Sequence, residues 1–586
     1  MRQLLLALAI LAVVLFFAKP ASPWEFDEFL FFQSLHQYDP IAHHPPPPGY
    51  PLFAGAGHVL RSMIPSDFAT LVTISFIGSL VAFVFFALAF GRIAGDPAAG
   101  VAGALLFYFS PALLVHSTLP MSEPGALALL AAGMYVWVPA SAGTAPAKAG
   151  VHTGLSAIFL ALTVGWRPQF AVFVVPMLIT CVILMRNWRD RVIALAVFTI
   201  VCLAWLVPLA SAVGGVERLL HFEVSQASYV SQHDADVSRS GWTPAQLAAR
   251  FIAHPWGTKI ASFPLLVVAA IGAYRLRRER RVNPLAIASM VYIAFALMFM
   301  DPADGVRYAI PFVLGIALCA GVGAVWIART AGVPAYTFVA LFAIASMIYV
   351  SSLISQRSAT WSPPAYAAAA AGWLFPANAV PLYDLSLWPQ AQYYFRDRHP
   401  MSVNDGLAAY FDRPDVPLFI FADGISHAAD ARVFRWQPSD AYSKLTRNHY
   451  RVVSLIPLAP AQRFRVLRGI YAPEREIDGE EWRWLDSPAE MQLPHGAPRT
   501  LTLRLGLPVI YPMERNTLSI VVDHGVSRVM ALERGKPVTI TIPIPAGAPI
   551  IRFESARTFI PAQVPGSLNR DGRRLAVKLY DLRATP

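Results

Sequence analysis

Apolar stretches of near-membrane length recur through the first 353 residues of this chain, and no other feature restricts its fold so severely. A helix needs ~20 apolar residues to cross a hydrocarbon core ~30 Å thick. Within that core every backbone N–H and C=O must be paired inside the protein. Stretches at 3–18, 67–90, 98–116, 125–139, 152–165, 168–185, 192–213, 259–274, 284–300, 309–328 and 333–353 approach or exceed the required length. They predict an α-helical polytopic membrane bundle of about 11 helices over residues 1–353. With 56% hydrophobic and only 14% charged residues among 586, a wholly soluble protein is excluded.

A net charge of +11 invites a nucleic-acid partner, but the placement of the basic residues argues against one. The clusters at Arg2, Arg92, Lys148, Arg186/Arg189/Arg191, Arg275/Arg277/Arg278/Arg280/Arg281 and Arg329 all fall on alternate loops between the apolar stretches. That is the bias of cytoplasmic loops, so the amino terminus is expected in the cytoplasm and the carboxyl-terminal part outside. Short loops and the lack of an organelle signal suit a bacterial inner membrane with the outer face in the periplasm. The first stretch starts like a secretory signal, yet Ala18-Lys19-Pro20-Ala21 is a poor cleavage site, and we read it as an uncleaved anchor. Cys181, Cys202 and Cys319 all lie in predicted spans, where apolar packing accounts for them.

Beyond residue 353 the character changes. Residues 354–479 read as a linker, marked by Pro363-Pro364 and an Ala-rich tract, followed by a mixed α/β outer segment with strands at 417–421 and 450–456. Residues 480–586 alternate apolar with polar at 500–505, 517–522, 538–542 and 574–579. Turns at Asp523-His524-Gly525 and Arg534-Gly535-Lys536 separate them, a pattern that predicts a β-sandwich. Trp482 and Trp484 share one face of a strand, which suits either a sugar platform or a sandwich core.

The unusual polar residues gather on the outer side: Asp27, Glu28, His43, His44, Glu123, Arg167, Asp301, Asp304 and Arg307. Acids at a membrane boundary are costly unless used. A carboxylate can take a proton from a hydroxyl, and an arginine can hold a lipid phosphate by paired charge-assisted hydrogen bonds. Simpler roles fit as well. Asp27-Glu28 can be solvated loop acids, Glu123 can start a helix in Ser122-Glu123-Pro124, and Arg307 can snorkel to headgroups. The adjacent histidines His43 and His44 fit loop shaping better than metal binding. Arg167 fits a second phosphate contact or an ion pair with a membrane-face acid.

Four motifs carry a resemblance. Asp27-Glu28 follows the first helix; His44-Pro45-Pro46 and Gly49-Tyr50-Pro51-Leu52 lead towards the next span; Met121-Ser122-Glu123-Pro124 lies outside the third; Gly305-Val306-Arg307-Tyr308 with Pro311 opens a late one. In order and sidedness, residues 1–353 resemble the GT-C glycosyltransferases, in particular the protein O-mannosyltransferase and aminoarabinose transferase branches. The resemblance implies an inverting transfer of a sugar from a polyprenyl-phosphate donor to a hydroxyl of a glycan, lipid or protein acceptor. Carried over, Asp27 is the general base and Glu28 its companion in orienting the acceptor. Glu123 is a second acid near the acceptor or a metal, and Arg307 binds the donor phosphate with Tyr308 beside it. No cofactor is required, although a divalent cation is compatible. The carboxyl-terminal part is similar to carbohydrate-binding β-sandwiches, through Ser555-Ala556-Arg557-Thr558-Phe559-Ile560-Pro561 and the stretch from Asn569 to Val577. A structural lid fits that part equally. Two other functions stay open: a flippase for a lipid-linked glycan, which would show inverted repeats, and a surface-polysaccharide ligase or polymerase.

Overall fold

The computed structural model describes residues 2–141, 146–229, 242–428, 430–439, 441–447, 451–475, 480–509, 511–523, 526–564 and 571–585. His524-Gly525, Tyr450 and Asn569-Arg570, used in the sequence reading, lie outside them. By compactness the chain forms two units: Met1–Trp361 with Pro438–Asn448, and Ser362–Gln437 with His449–Pro586.

The first unit is helical, and each predicted apolar stretch coincides with a helix or a pair of helices. Among the described residues six helices are long and apolar enough to cross a membrane: Asp67–Ala94, Trp188–Val213, Lys259–Leu276, Arg280–Phe299, Pro302–Ala331 and Thr337–Leu374. Four shorter apolar helices accompany them. Large apolar side chains such as Leu6, Ile183, Leu203, Phe263 and Ile348 face outward, a surface that only lipid covers favourably. The chain is a multi-pass membrane protein. The stretch 98–116 is not one helix. Ser110 accepts a hydrogen bond from the Leu113 N–H, Pro111 takes the first helical position, and Pro97–Tyr108 is thereby separated from Pro111–His116.

The segment between the first helix and Asp67–Ala94 contains two helices, Phe26–Ser34 and Pro51–Arg61. Phe31 joins them, meeting the Tyr50 and Phe53 rings edge-on at 5.0 and 4.9 Å. Asp67, opening the next helix, clamps both, with its carboxylate 2.9 Å from His36 Nε2 and 2.5 Å from Arg61 Nε. Two close approaches then join the helices at Gly78 and Gly125. A Cβ at Gly78 would stand 2.9 Å from the backbone of Pro124 and Gly125, and one at Gly125 would stand 2.5 Å from the Trp166 indole.

The second unit joins a five-stranded and an eight-stranded sheet around one core. In the first, β1 (Val380–Tyr383) runs parallel to β2 (Met401–Ser402) and β3 (Leu418–Asp423); β5 (Val452–Leu458) then pairs antiparallel with β3 and with β4 (Arg432–Arg435). The second comprises β6 (Arg465–Arg475), β7 (Glu481–Gln492), β8 (Arg499–Gly506), β9 (Arg515–Val522), β10 (Val526–Glu533), β11 (Val538–Ile544), β12 (Ile550–Ser555) and β13 (Val577–Thr585). Its order is β10-β9-β12-β7-β13-β8-β11, with β6 also on β7, all antiparallel. Its strands are joined in one continuous hydrogen-bonded path, in which β12 pairs with residues 489–492 of β7 and β13 with residues 483–485. Alternate residues bury one face as predicted, among them Leu501/Leu503/Leu505, Leu518/Ile520/Val522 and Ile540/Ile542/Ile544. Val380, Leu382, Val403, Leu407 and Leu418 share that core, so the mixed segment and the β-rich segment pack together. Pro363-Pro364 opens a helix, Pro363–Leu374, rather than a linker: proline suits the first helical turn and alanine the rest.

Candidate functional site

Arg307 organises the end of the helical unit at which Asp27 and Glu123 lie. It lies in the first turn of Gly305–Ala331, after a short turn that Asp301 caps by accepting the Ala303 N–H at 2.8 Å. Its Nη1 donates to Asp27 at 3.2 Å and to Asp304 at 3.3 Å, and its Nε donates to Glu123. Glu123 starts the helix Glu123–Ser141 and is shared with Arg167, whose Nη2 stands 3.1 Å from the same carboxylate oxygen. Arg167 also donates from Nη1 to the Ser122 hydroxyl at 2.7 Å. The Gly125–Trp166 approach explains this meeting, because it presses the residue before Arg167 against the turn that carries Glu123.

Burial separates the members of the network. Glu123, Arg167, Asp304 and Arg307 are buried. Asp27 is not: its side chain is 35% exposed, so it is the carboxylate that a reactant in water can reach. Three carboxylates surround two guanidiniums, and charges buried together are tolerable only when paired and hydrogen-bonded in this manner. Tyr50 closes one side, with its ring 5.8 Å from the Arg167 guanidinium. Burial raises the pKa of its phenol, whose oxygen accepts from Gln169 Nε2 at 2.5 Å.

Glu28 is placed differently from Asp27. Asp27 and Glu28 occupy the first turn of Phe26–Ser34, and successive residues on a helix point ~100° apart. Glu28 turns inward, is fully buried, and accepts the Trp24 N–H at 2.7 Å. Burial, with Glu25 close by, pushes its carboxyl up to about 8, so it is mostly protonated at neutral pH. Arg357 holds Glu25 at 2.8 Å beside it. Glu28 is part of the scaffold under Asp27 and lies away from the Arg307 network.

The remaining predicted residues lie nearby. His44 pairs backbone-to-backbone with Asp39, at 2.8 and 2.6 Å, and His43 adopts a left-handed φ of 62°. Burial lowers the pKa of His43 and the Asp27 charge opposes that shift. Tyr308 is half-buried next to Arg307. Among the described residues no group of three or more His, Cys, Asp or Glu has the arrangement to hold a metal.

Three contributors were not singled out as site residues from the sequence. Asp304 was noted only for its side of the membrane, although its spacing of three from Arg307 signals a pair on one helix face. Arg250 is buried and donates to the carbonyls of Pro302, Ala303, Ser443 and Lys444, bracing the turn before Arg307. Segment 441–447 completes that brace: the Leu445 carbonyl lies 3.1 Å from His116 Nε2, and Arg447 is 3.7 Å from Asp301. No local pattern in the sequence distinguishes it.

No family model and no curated protein matches this chain. Solved structures do. ArnT from Cupriavidus metallidurans bound to undecaprenyl phosphate superposes with a TM-score of 0.51 at 13% identity, over 77% of this chain and 97% of that one. Its apo form gives 0.51 at 12% identity over the same shares. The Archaeoglobus fulgidus oligosaccharyltransferase in complex with zinc and sulfate gives 0.43 at 11% identity, over 98% of each chain. Identity this low speaks for the fold alone.

Proposed function

We propose that this chain, whose fold is that of the GT-C membrane glycosyltransferases, moves a sugar from a polyprenyl-phosphate donor to an acceptor hydroxyl at the outer membrane face, with inversion. The observation that carries this reading is the contact of an accessible carboxylate, Asp27, with a buried arginine, Arg307, at 3.2 Å. A general base and a phosphate-binding cation thus stand together at the membrane boundary. The undecaprenyl phosphate held by the similarly folded ArnT supports a lipid phosphate as the ligand of such a site.

The chemistry follows from the neighbours. A donor phosphate arriving at Arg307 competes with Asp27 for the guanidinium. Glu123 and Asp304 still hold that guanidinium, so it is positioned before the donor binds. Released, Asp27 accepts the proton of the acceptor hydroxyl. The hydroxyl oxygen bonds to C1 of the sugar from the face opposite the phosphate. The C1–O bond breaks, and its electron pair leaves with the polyprenyl phosphate, which Arg307 and Arg167 neutralise. Tyr308 is a further donor to that phosphate. Glu28 acts here by holding the helix under Asp27, and His43 and His44 by shaping the loop around it. No step requires a divalent cation, although Asp27 and Glu123 are compatible with one. The reading places the site on the periplasmic side of a bacterial inner membrane, with the amino terminus in the cytoplasm.

The test is transfer by purified protein in detergent, using radiolabelled polyprenyl-phosphate sugars with and without an envelope acceptor fraction. Acceptor-dependent release of sugar from the lipid, lost in Asp27→Asn while donor binding persists, supports the reading. Equal transfer by both proteins removes Asp27 from the mechanism. Consumption of no donor, together with movement of lipid-linked glycan across proteoliposomes, replaces the transferase with a flippase.

A further inference from the structure

The end of the helical unit away from Arg307 carries arginines that none of the chemistry above uses. Helix Gly305–Ala331 holds Arg307 in its first turn and Arg329 in its last, so the two stand ~33 Å apart at 1.5 Å per residue. Helix Lys259–Leu276 packs closely on it there. A Cβ at Gly272 would run into the Cys319 carbonyl, and one at Gly323 into that of Val268. This approach brings the Arg275 guanidinium to 5.4 Å from the Trp326 ring. Arg277 lies 3.7 Å over the Tyr274 ring, and Arg278 and Arg280 are exposed. Glu279 is the one acid in this run, and it is taken: it accepts the Arg281 N–H at 3.3 Å and stands 3.7 Å from the Arg281 guanidinium. Arg329 is paired with Asp96 at 2.6 Å. Among the described residues Arg275, Arg277, Arg278 and Arg280 have no carboxylate partner.

The surroundings narrow the ligand. Aromatic side chains exposed at the end of an apolar helix sit at headgroup depth in a bilayer. Tyr274 is 63% and Trp326 37% exposed, which puts the guanidiniums stacked on them at that depth. An apolar stripe leads away from the arginines: Phe263, Val267 and Tyr274 recur at spacings of four and seven on one helix face, and all are exposed. A free phosphate or a nucleic acid would use the arginines and leave that stripe bare. A zwitterionic headgroup would bring its ammonium against four cations. A phospholipid of net negative charge uses both features. Its phosphate oxygens take paired hydrogen bonds from the guanidinium edges that ring stacking leaves free, and its acyl chains cover the stripe. Four guanidiniums exceed the needs of one singly charged phosphodiester. We propose that this patch binds an anionic phospholipid carrying two phosphates, through Arg275, Arg277, Arg278 and Arg280.

The full-length protein in detergent is titrated with cardiolipin, phosphatidylglycerol, phosphatidylethanolamine and pyrophosphate, and bound lipid is counted by native mass spectrometry. Cardiolipin is expected to bind most tightly, and Arg278→Gln/Arg280→Gln to weaken it about 30-fold. Arg186→Gln/Arg189→Gln removes the same charge from exposed positions on another loop and should leave cardiolipin affinity nearly unchanged. Lipid-free thermal unfolding shows whether the glutamine pair keeps its fold. If it does not, the single Arg278→Gln, expected to weaken binding about 5-fold, decides instead. Binding must persist in Asp27→Asn, which keeps the outcome independent of the transferase reading. Equal losses in the two double variants overturn the proposal, because net charge alone then explains the binding. So does cardiolipin held no more tightly than phosphatidylglycerol or phosphatidylethanolamine, or lost in Asp27→Asn. Pyrophosphate bound as tightly as cardiolipin makes the ligand a soluble anion and overturns the lipid.

Discussion

Asp27 and Arg307 meet at 3.2 Å across 280 residues of chain, one partly exposed and the other buried. The asymmetry divides their roles. The buried arginine is held by Glu123 and Asp304 as well, whereas the accessible acid has only that contact within the network. Asp27→Asn preserves the shape and removes the proton acceptor. The expected result is a fall in kcat of about 100- to 10,000-fold with donor affinity nearly unchanged. Single-turnover transfer and donor titration measure the two separately; weaker donor binding with unchanged kcat would instead make Asp27 a donor contact.

Glu123 serves two arginines at once, so its loss leaves two buried cations short of a partner. Breaking a buried pair from one side costs ~3–5 kcal/mol. Glu123→Gln is expected towards the lower end because Arg307 keeps two other acids. Thermal unfolding of Glu123→Gln, Arg167→Gln and the double variant forms a cycle. The double variant should lose less than the sum, with a coupling of ~0.5–3 kcal/mol. Strict additivity would mean that Glu123 and Arg167 act independently.

Glu28 gives a pH signature. Its folded pKa of about 8 stands above the usual 4.5, so between those values the folded protein holds a proton that the unfolded chain has lost. Its contribution to stability therefore declines as pH rises from about 4.5 to about 8 and is constant above. Glu28→Gln mimics the protonated form. The variant should match wild type near pH 4.5 and unfold a few degrees higher near pH 8.5, measured by thermal unfolding in detergent. A variant destabilised equally at both pH values would contradict a protonated Glu28.

Sidedness gathered nine polar residues, because positive-inside loops assign each to a membrane face, and the motifs then singled out Asp27, Glu123 and Arg307, with Arg167 kept as a second phosphate contact. That these four touch was not legible, since the closest approaches join residues 184 and 280 apart in sequence. Glu28 is turned away from Asp27 for a local reason. The outer loop is helical just there, and helix geometry turns neighbours away from one another. The break at Ser110-Pro111 was written in capping chemistry, yet the unbroken apolarity around it concealed the signal. The alternating strands from residue 500 onward were readable because their period of two is also their burial pattern. The brace at 441–447 was hidden for the opposite reason: its partners, Arg250, His116 and Asp301, lie far away in sequence.

Gly125 tests whether close helix packing places the arginines. A methyl there would stand 2.5 Å from the Trp166 indole, and Trp166 immediately precedes Arg167. Gly125→Ala must push the indole away, and with it the backbone that delivers Arg167 to Glu123. Overpacking of this kind costs ~1–3 kcal/mol. If Arg167 assists the donor phosphate, the functional result is a higher KM for donor with a smaller change in kcat. A second substitution, Trp166→Leu, restores the space, so Gly125→Ala/Trp166→Leu should recover donor affinity relative to Gly125→Ala alone. If the double variant binds donor no better although its stability returns, the packing supports the fold without positioning Arg167.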